Sequence, residues 1–77
     1  MNMTQVNTVV DVKHPLSPQT GNELVDELGH LAGVSRAWVS PRTSRMLLVD
    51  YDANQIDTQH ILRTVVRRGF DARLVGM

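Results

Sequence analysis

The sequence has 77 residues, of which 42% are hydrophobic and 21% charged, and its eight basic and eight acidic residues give a net charge of zero. This length fits one domain, 1–77, with a flexible tail at 1–4, and the balanced charge provides no attraction to nucleic acid or to an acidic membrane surface. The absence of cysteine excludes disulfides, thiolate metal ligands and a cysteine nucleophile. We expect a cytoplasmic domain without membrane contact, because the N-terminus lacks the regions of a secretory signal and no apolar run approaches the ~20 residues that span a bilayer.

The first half of the chain predicts a strand, a helix and a second strand. From Gln5 to Val12, Val6, Val10 and Val12 lie on one side and Val9 and Asp11 on the other. Both faces thus carry apolar residues, which indicates a centrally placed strand. Ser17-Pro18 suits the start of a helix, with serine as N-cap and proline in the first turn, although a capping box that begins at Thr20 competes with it. The helix is predicted to run to about Ala32, with Gly33 ending it.

The second half predicts a hairpin, a second helix and a last strand. A proline-containing turn, Pro41 to Ser44, separates two strands. The second of them has Leu47, Val49 and Tyr51 on one face and Met46, Leu48 and Asp50 on the other. Asp57 suits the N-cap of the helix, and its buried stripe contains Ile61 and Val65, with Leu62 and Val66 partly included. The predicted bounds are 34–40 and 45–51 for the hairpin strands, 57–69 for the capped helix and 70–75 for the last strand.

The order of these elements is β-α-β-β-α-β. Two right-handed crossovers joined by a hairpin give a four-stranded antiparallel sheet with both helices on one face. The sequence therefore predicts an α+β protein with the ferredoxin-like sandwich fold.

Three groups of residues resemble a known family. They are Leu24, Leu28 and Leu31-Ala32-Gly33-Val34 around the end of the first helix, Val49-Asp50-Tyr51-Asp52 in the third strand, and Ile61, Val65 and Gly69-Phe70 around the second helix. Through them, residues 8–75 resemble the heavy-metal-associated domains, which are copper chaperones and N-terminal modules of metal-transporting ATPases. Members carry Gly-Met-x-Cys-x-x-Cys before the first helix, and counting back from Gly33 places Ser17 and Thr20 at the cysteine positions. The resemblance implies a degenerate member that keeps the fold and lacks the thiolates.

The loop chemistry follows from this replacement. Hydroxyls are hard, neutral ligands and do not hold soft Cu(I) as thiolates do, so we expect no cofactor. His14 is the loop residue that could bind a transition metal if a second ligand joined it, whereas His30 and His60 fit exposed helix positions. Ser17 and Thr20, with Arg68, offer a weaker anion site. No arrangement of side chains indicates an enzyme.

Two surfaces suggest protein partners. Glu23 and Glu27 on the first helix and Arg63 and Arg67 on the second would form a dipolar face that steers a partner of opposite pattern. Apolar side chains on the uncovered side of the sheet would form a second interface and permit weak self-association. These sheet residues are Val9, Trp38, Met46 and Leu48.

The functional prediction is a docking or regulatory module in a metal-transport context, such as the N-terminal part of a metal-transporting ATPase, with a metal transporter or chaperone domain as partner. This context rests on the resemblance. An alternative is a metallochaperone domain that uses His14 and other non-thiol ligands. A third hypothesis is a ferredoxin-like regulatory or small-molecule domain that is unrelated to metal transport.

Overall fold

The computed structural model describes residues 5–75, so the predicted tail at 1–4 lies outside the described residues. Its strands are β1 (Gln5–Val12), β2 (Val34–Val39), β3 (Met46–Asp52) and β4 (Ala72–Leu74), and its helices are α1 (Pro18–Gly29) and α2 (Thr58–Arg67). The strands form one antiparallel sheet in the order β2-β3-β1-β4. The predicted ferredoxin-like βαββαβ fold is confirmed. Within residues 5–75, no helix is long and apolar enough to cross a membrane.

The core lies between the sheet and the two helices. Val10 pairs with Leu47 across β1 and β3, and both side chains are fully buried. The helices cover this face with buried residues at helical spacing, which are Leu24 and Leu28 of α1 and Ile61 and Val65 of α2. The predicted faces of the central strands are therefore confirmed. Val66, which was predicted to contribute partly to the buried stripe, is 46% exposed.

The end of α1 differs from its prediction. The helix ends at Gly29, because the amides of His30 and Leu31 donate to carbonyls three residues back, which tightens the last turn. Gly33 follows this turn with a φ of +97°. A Cβ on Gly33 would lie 2.9 Å from side-chain atoms of both Gln55 and Ile56. The glycine is therefore required where β2 starts against the β3–α2 loop, rather than at the helix end.

The end of α2 follows its prediction, and the last strand is shorter than predicted. Arg68 is the C-cap of α2, and Gly69 has the left-handed conformation that commonly ends helices. Only Ala72–Leu74 of the predicted 70–75 forms β4, which pairs with Val10–Val12 of β1.

Backbone hydrogen bonds hold the passage from β1 into α1 at one end of the sheet. The amide of Lys13 donates to the carbonyl of Asp71 at 2.8 Å, and the amide of Leu16 donates to the carbonyl of Ser44 at 2.8 Å. The Leu16 side chain is buried in the core. This passage is thus fixed between the hairpin and the last strand. At the opposite end, the Asp52 amide donates to the Gly33 carbonyl at 2.7 Å.

Candidate functional site

Ser17 caps α1, as the sequence predicted. Its hydroxyl accepts a hydrogen bond from the Thr20 amide at 3.2 Å, and it donates to the Thr20 hydroxyl at 2.9 Å. The competing start at Thr20 is not used. Because the two side chains contact each other in the first helical turn, the fold brings the residues at the expected cysteine positions together. The donors found there are two neutral hydroxyls, which do not fit a soft metal ion.

The cap gives a direct stability prediction. Replacing Ser17 with alanine should lower the free energy of unfolding by about 1 kcal/mol, because the Thr20 amide loses its acceptor. Urea denaturation followed by circular dichroism measures this change. Ser44→Ala in the exposed hairpin is the matched control and should change stability by less than about 0.5 kcal/mol. Equal stability of the two variants would show that the Ser17 hydroxyl is not an effective cap.

The histidines do not gather into a ligand set. His14, His30 and His60 are all exposed, on the loop, after α1 and on α2 respectively. The Nδ1 of His30 lies 2.7 Å from the backbone carbonyl oxygen of Asp26. Among residues 5–75, no three or more His, Cys, Asp or Glu side chains are placed to hold a metal ion together.

The charged residues on the helices meet in a groove between α1 and α2. This groove has a volume of about 240 Å³ and contains Glu27, His60, Arg67 and Arg68 in its walls. The Arg68 guanidinium binds the carboxylate of Glu27 and lies 3.8 Å from that of Glu23.

The internal ion pairs of the groove thus come from Arg68. The dipolar face was predicted to use Arg63 and Arg67, and Arg68 was assigned to an anion site at the start of α1. The helical spacing of His60, Thr64 and Arg68 indicated that Arg68 shares a face with them, but the sequence did not show that this face meets α1.

The uncovered side of the sheet brings several predicted interface residues together. Leu48 in β3 pairs with Val9 on one side and with Trp38 on the other. The guanidinium of Arg36 lies 4.2 Å from the centroid of the Trp38 ring. Met46 is two residues before Leu48 and pairs with Asp11. These apolar side chains are half-buried, so they form a continuous but shallow surface.

No protein-family model matches the sequence, and no curated protein sequence matches it significantly. Solved structures do match. Oxidized MerP from Ralstonia metallidurans CH34 has a TM-score of 0.82 at 14% identity, covering 95% of this chain and all of that one. A copper binding domain of HMA7, a P-type ATPase, has a TM-score of 0.79 at 21% identity, with coverages of 91% and 93%.

A third match is the N-terminal domain of a potential copper-translocating P-type ATPase from Bacillus subtilis, with a TM-score of 0.81 at 18% identity and coverages of 95% and 90%. Identities this low establish the fold and leave the activity open. The chain therefore has the fold of the heavy-metal-associated domains, and it contains no cysteine.

Proposed function

We propose that this chain is a protein-docking module in metal transport that does not capture Cu(I) through thiolates. The observation that carries the proposal is an end-to-end likeness to copper-binding domains of P-type ATPases in a chain whose sequence contains no cysteine. The metal-transport context comes from these neighbours, and we place the domain in the cytoplasm, beside a metal transporter or chaperone domain.

The chemistry of the β1–α1 loop supports a role without soft metals. Cu(I) favours thiolate and thioether ligands, whereas Ser17 and Thr20 offer hydroxyl oxygens. Both hydroxyls take part in the helix cap, where they stabilise the start of α1. Capping of α1 therefore explains the presence of Ser17 and Thr20 without a bound ion.

The groove between the helices supports docking. Glu27 faces Arg68 across it, and Arg67 lines the same groove while remaining exposed. Acidic and basic side chains on adjacent helices form a pattern that a partner of opposite pattern can match, which mainly accelerates and orients association. We therefore assign the partner to this groove, with Glu23, Glu27, Arg63 and Arg67 as its charged surroundings.

A metal titration separates this proposal from the His14 alternative. The 15N-labelled chain is titrated with Cu(I), Cu(II), Zn(II) and Ni(II) in turn while the backbone amide shifts are recorded. We expect no saturable shifts at 13–20 with any ion. Localised shifts that disappear in a His14→Ala variant would instead establish the metallochaperone alternative. His60→Ala is the matched control, since it removes an exposed histidine from the other side of the fold.

A second experiment tests whether a partner domain binds in the groove between α1 and α2. The probe is a Cu(I)-binding domain of a copper ATPase from the same organism, and binding is measured by amide shift titration. Arg67→Glu should weaken binding by about five- to tenfold, because it reverses an exposed groove charge that forms no ion pair within residues 5–75. Added salt should weaken wild-type binding in the same direction.

The matched control is Arg42→Glu, which makes the same change in the exposed hairpin, away from the groove. It should leave binding of the probe unchanged. Binding that is insensitive to salt and equally affected by both variants would contradict a docking role for the groove.

A further inference from the structure

The uncovered face of the sheet carries an apolar row that crosses the strands, with a polar row on one side and a mixed row on the other. The apolar row consists of Val9, Leu48 and Trp38, which are cross-strand neighbours on β1, β3 and β2. On one side lies a polar row of Asn7, Asp50 and Arg36, and on the other a mixed row of Arg73, Asp11 and Met46. An apolar centre with a polar rim is the arrangement of a protein interface.

We infer that this face is the contact surface of a weak homodimer, in which two sheets pack face to face about a two-fold axis parallel to β1 and β3. The apolar row is self-complementary about that axis, because the two-fold rotation places β1 of one copy over β3 of the other. Leu48 of each copy then lies over Val9 of the other, and both contacts form at once, as an isologous interface requires. The inference does not depend on the proposed docking function, since the helices lie on the opposite face.

The polar row favours a two-fold axis parallel to the strands over one that crosses them. With the axis parallel to the strands, the Asp50 carboxylate faces Asn7 of the second copy, whose amide can donate to it. Within one chain, the Asn7 amide already donates to Asp50 at 2.9 Å, so the two side chains are suited to each other. An axis across the strands would place Asp50 over Met46 and bury a carboxylate against a thioether, which is unfavourable.

The mixed row of Arg73, Asp11 and Met46 is also compatible with an axis parallel to the strands. Met46 then lies over Asp11 of the second copy, whose side chain is only 11% exposed before any association. The Asp11 carboxylate is already held by Arg45 at 3.7 Å and by Arg73 at 3.4 Å. Covering a carboxylate that has lost most of its water costs little further desolvation.

The size of the face predicts weak association. Four strands about 4.8 Å apart and three rows of side chains give roughly 400 Å² per copy, well below the ~800 Å² per partner of a standard interface. Arg36 covers one face of the Trp38 ring, so the monomer itself shields part of the row. Because the net charge is zero, no long-range repulsion opposes a second copy. We therefore expect a dissociation constant on the order of 0.1–1 mM.

Sedimentation equilibrium tests the dimer between about 0.01 and 2 mM chain, a range that brackets the expected constant. Wild type should shift from monomer to dimer, and Leu48→Lys should raise the dissociation constant at least about tenfold. Val66→Lys, which introduces the same lysine at an exposed apolar position on α2, should dimerise like wild type. If Leu48→Lys fails to fold by circular dichroism, Trp38→Gln takes its place.

A wild-type chain that stays monomeric over this range would overturn the inference, because the apolar row would then not bind a second copy of the chain. Dimerisation lost in Val66→Lys and kept in a folded Leu48→Lys would overturn it equally.

A spin label tests the axis, and the absence of cysteine makes the labelling specific. Ser40→Cys, just after β2, carries the nitroxide in one preparation, which is mixed with unlabelled 15N chain. An axis parallel to the strands places β2 over β4 of the second copy, so amide signals near Arg73 should broaden. Broadening centred on Arg36 would indicate an axis across the strands and overturn the proposed dimer.

Discussion

Replacing Ser17 and Thr20 with cysteine is expected to create a site that binds a single Cu(I) ion. The two hydroxyls lie 2.9 Å apart in the first turn of α1, so two sulfur atoms on the same positions would also be close. The helix N-terminus favours the thiolate form, and Cu(I) favours thiolates over every ligand that the loop now offers. The double substitution therefore places two thiolate donors on a loop whose backbone already holds the two positions close together.

An anaerobic titration of Cu(I) against a coloured Cu(I) chelator measures this gain. The single variants Ser17→Cys and Thr20→Cys are the controls, and each should compete much less than the double variant. Since the substitution removes the Ser17 cap, circular dichroism must show that the double variant is folded. A folded double variant that fails to compete would mean that the loop does not hold the two positions in a geometry that one Cu(I) ion can bridge.

Gly33→Ala is expected to cause a large loss of stability, about 2–4 kcal/mol. Two effects combine at this position. The φ of +97° disfavours any residue with a Cβ, and that Cβ would lie 2.9 Å from side-chain atoms of Gln55 and Ile56. A domain of this size has a small margin of stability, so such a loss should unfold a measurable fraction of the chain.

Gly69→Ala separates the two effects. Gly69 has the same φ of +97°, but a Cβ there would meet nothing within 4 Å. We expect this control to lose only about 1–2 kcal/mol, the cost of the left-handed conformation alone. Urea denaturation of both variants measures the difference. Equal losses would show that the loop at Gln55 and Ile56 moves aside without cost.

Much of the fold was predictable because its signals are local. Ser17 and Asp57 were predicted as N-caps, and each accepts a hydrogen bond from the amide three residues later. The alternation of apolar residues predicted which side chains of β1 and β3 face the helices. Capping and periodicity depend on neighbours in the sequence, so they are visible without a structure.

The remaining features depend on contacts between distant parts of the chain. Gly33 was predicted to end α1, but its conformation is required by Gln55 and Ile56 across the fold. Arg68 was not expected to bind Glu27, because the sequence does not show which faces of the two helices meet. At the candidate site, the cap role of Ser17 was readable from the residues themselves. Its correspondence with a cysteine position came only from the family resemblance.

The backbone bonds at the end of the sheet couple the β1–α1 loop to the hairpin and to the segment before β4. Leu16 is bonded to the hairpin through Ser44, and Lys13 is bonded to the segment before β4 through Asp71. A ligand or partner that displaces this loop must therefore stretch one of these bonds. Hydrogen exchange at the Leu16 and Lys13 amides would then report binding at the loop, even when the bound species contacts neither residue.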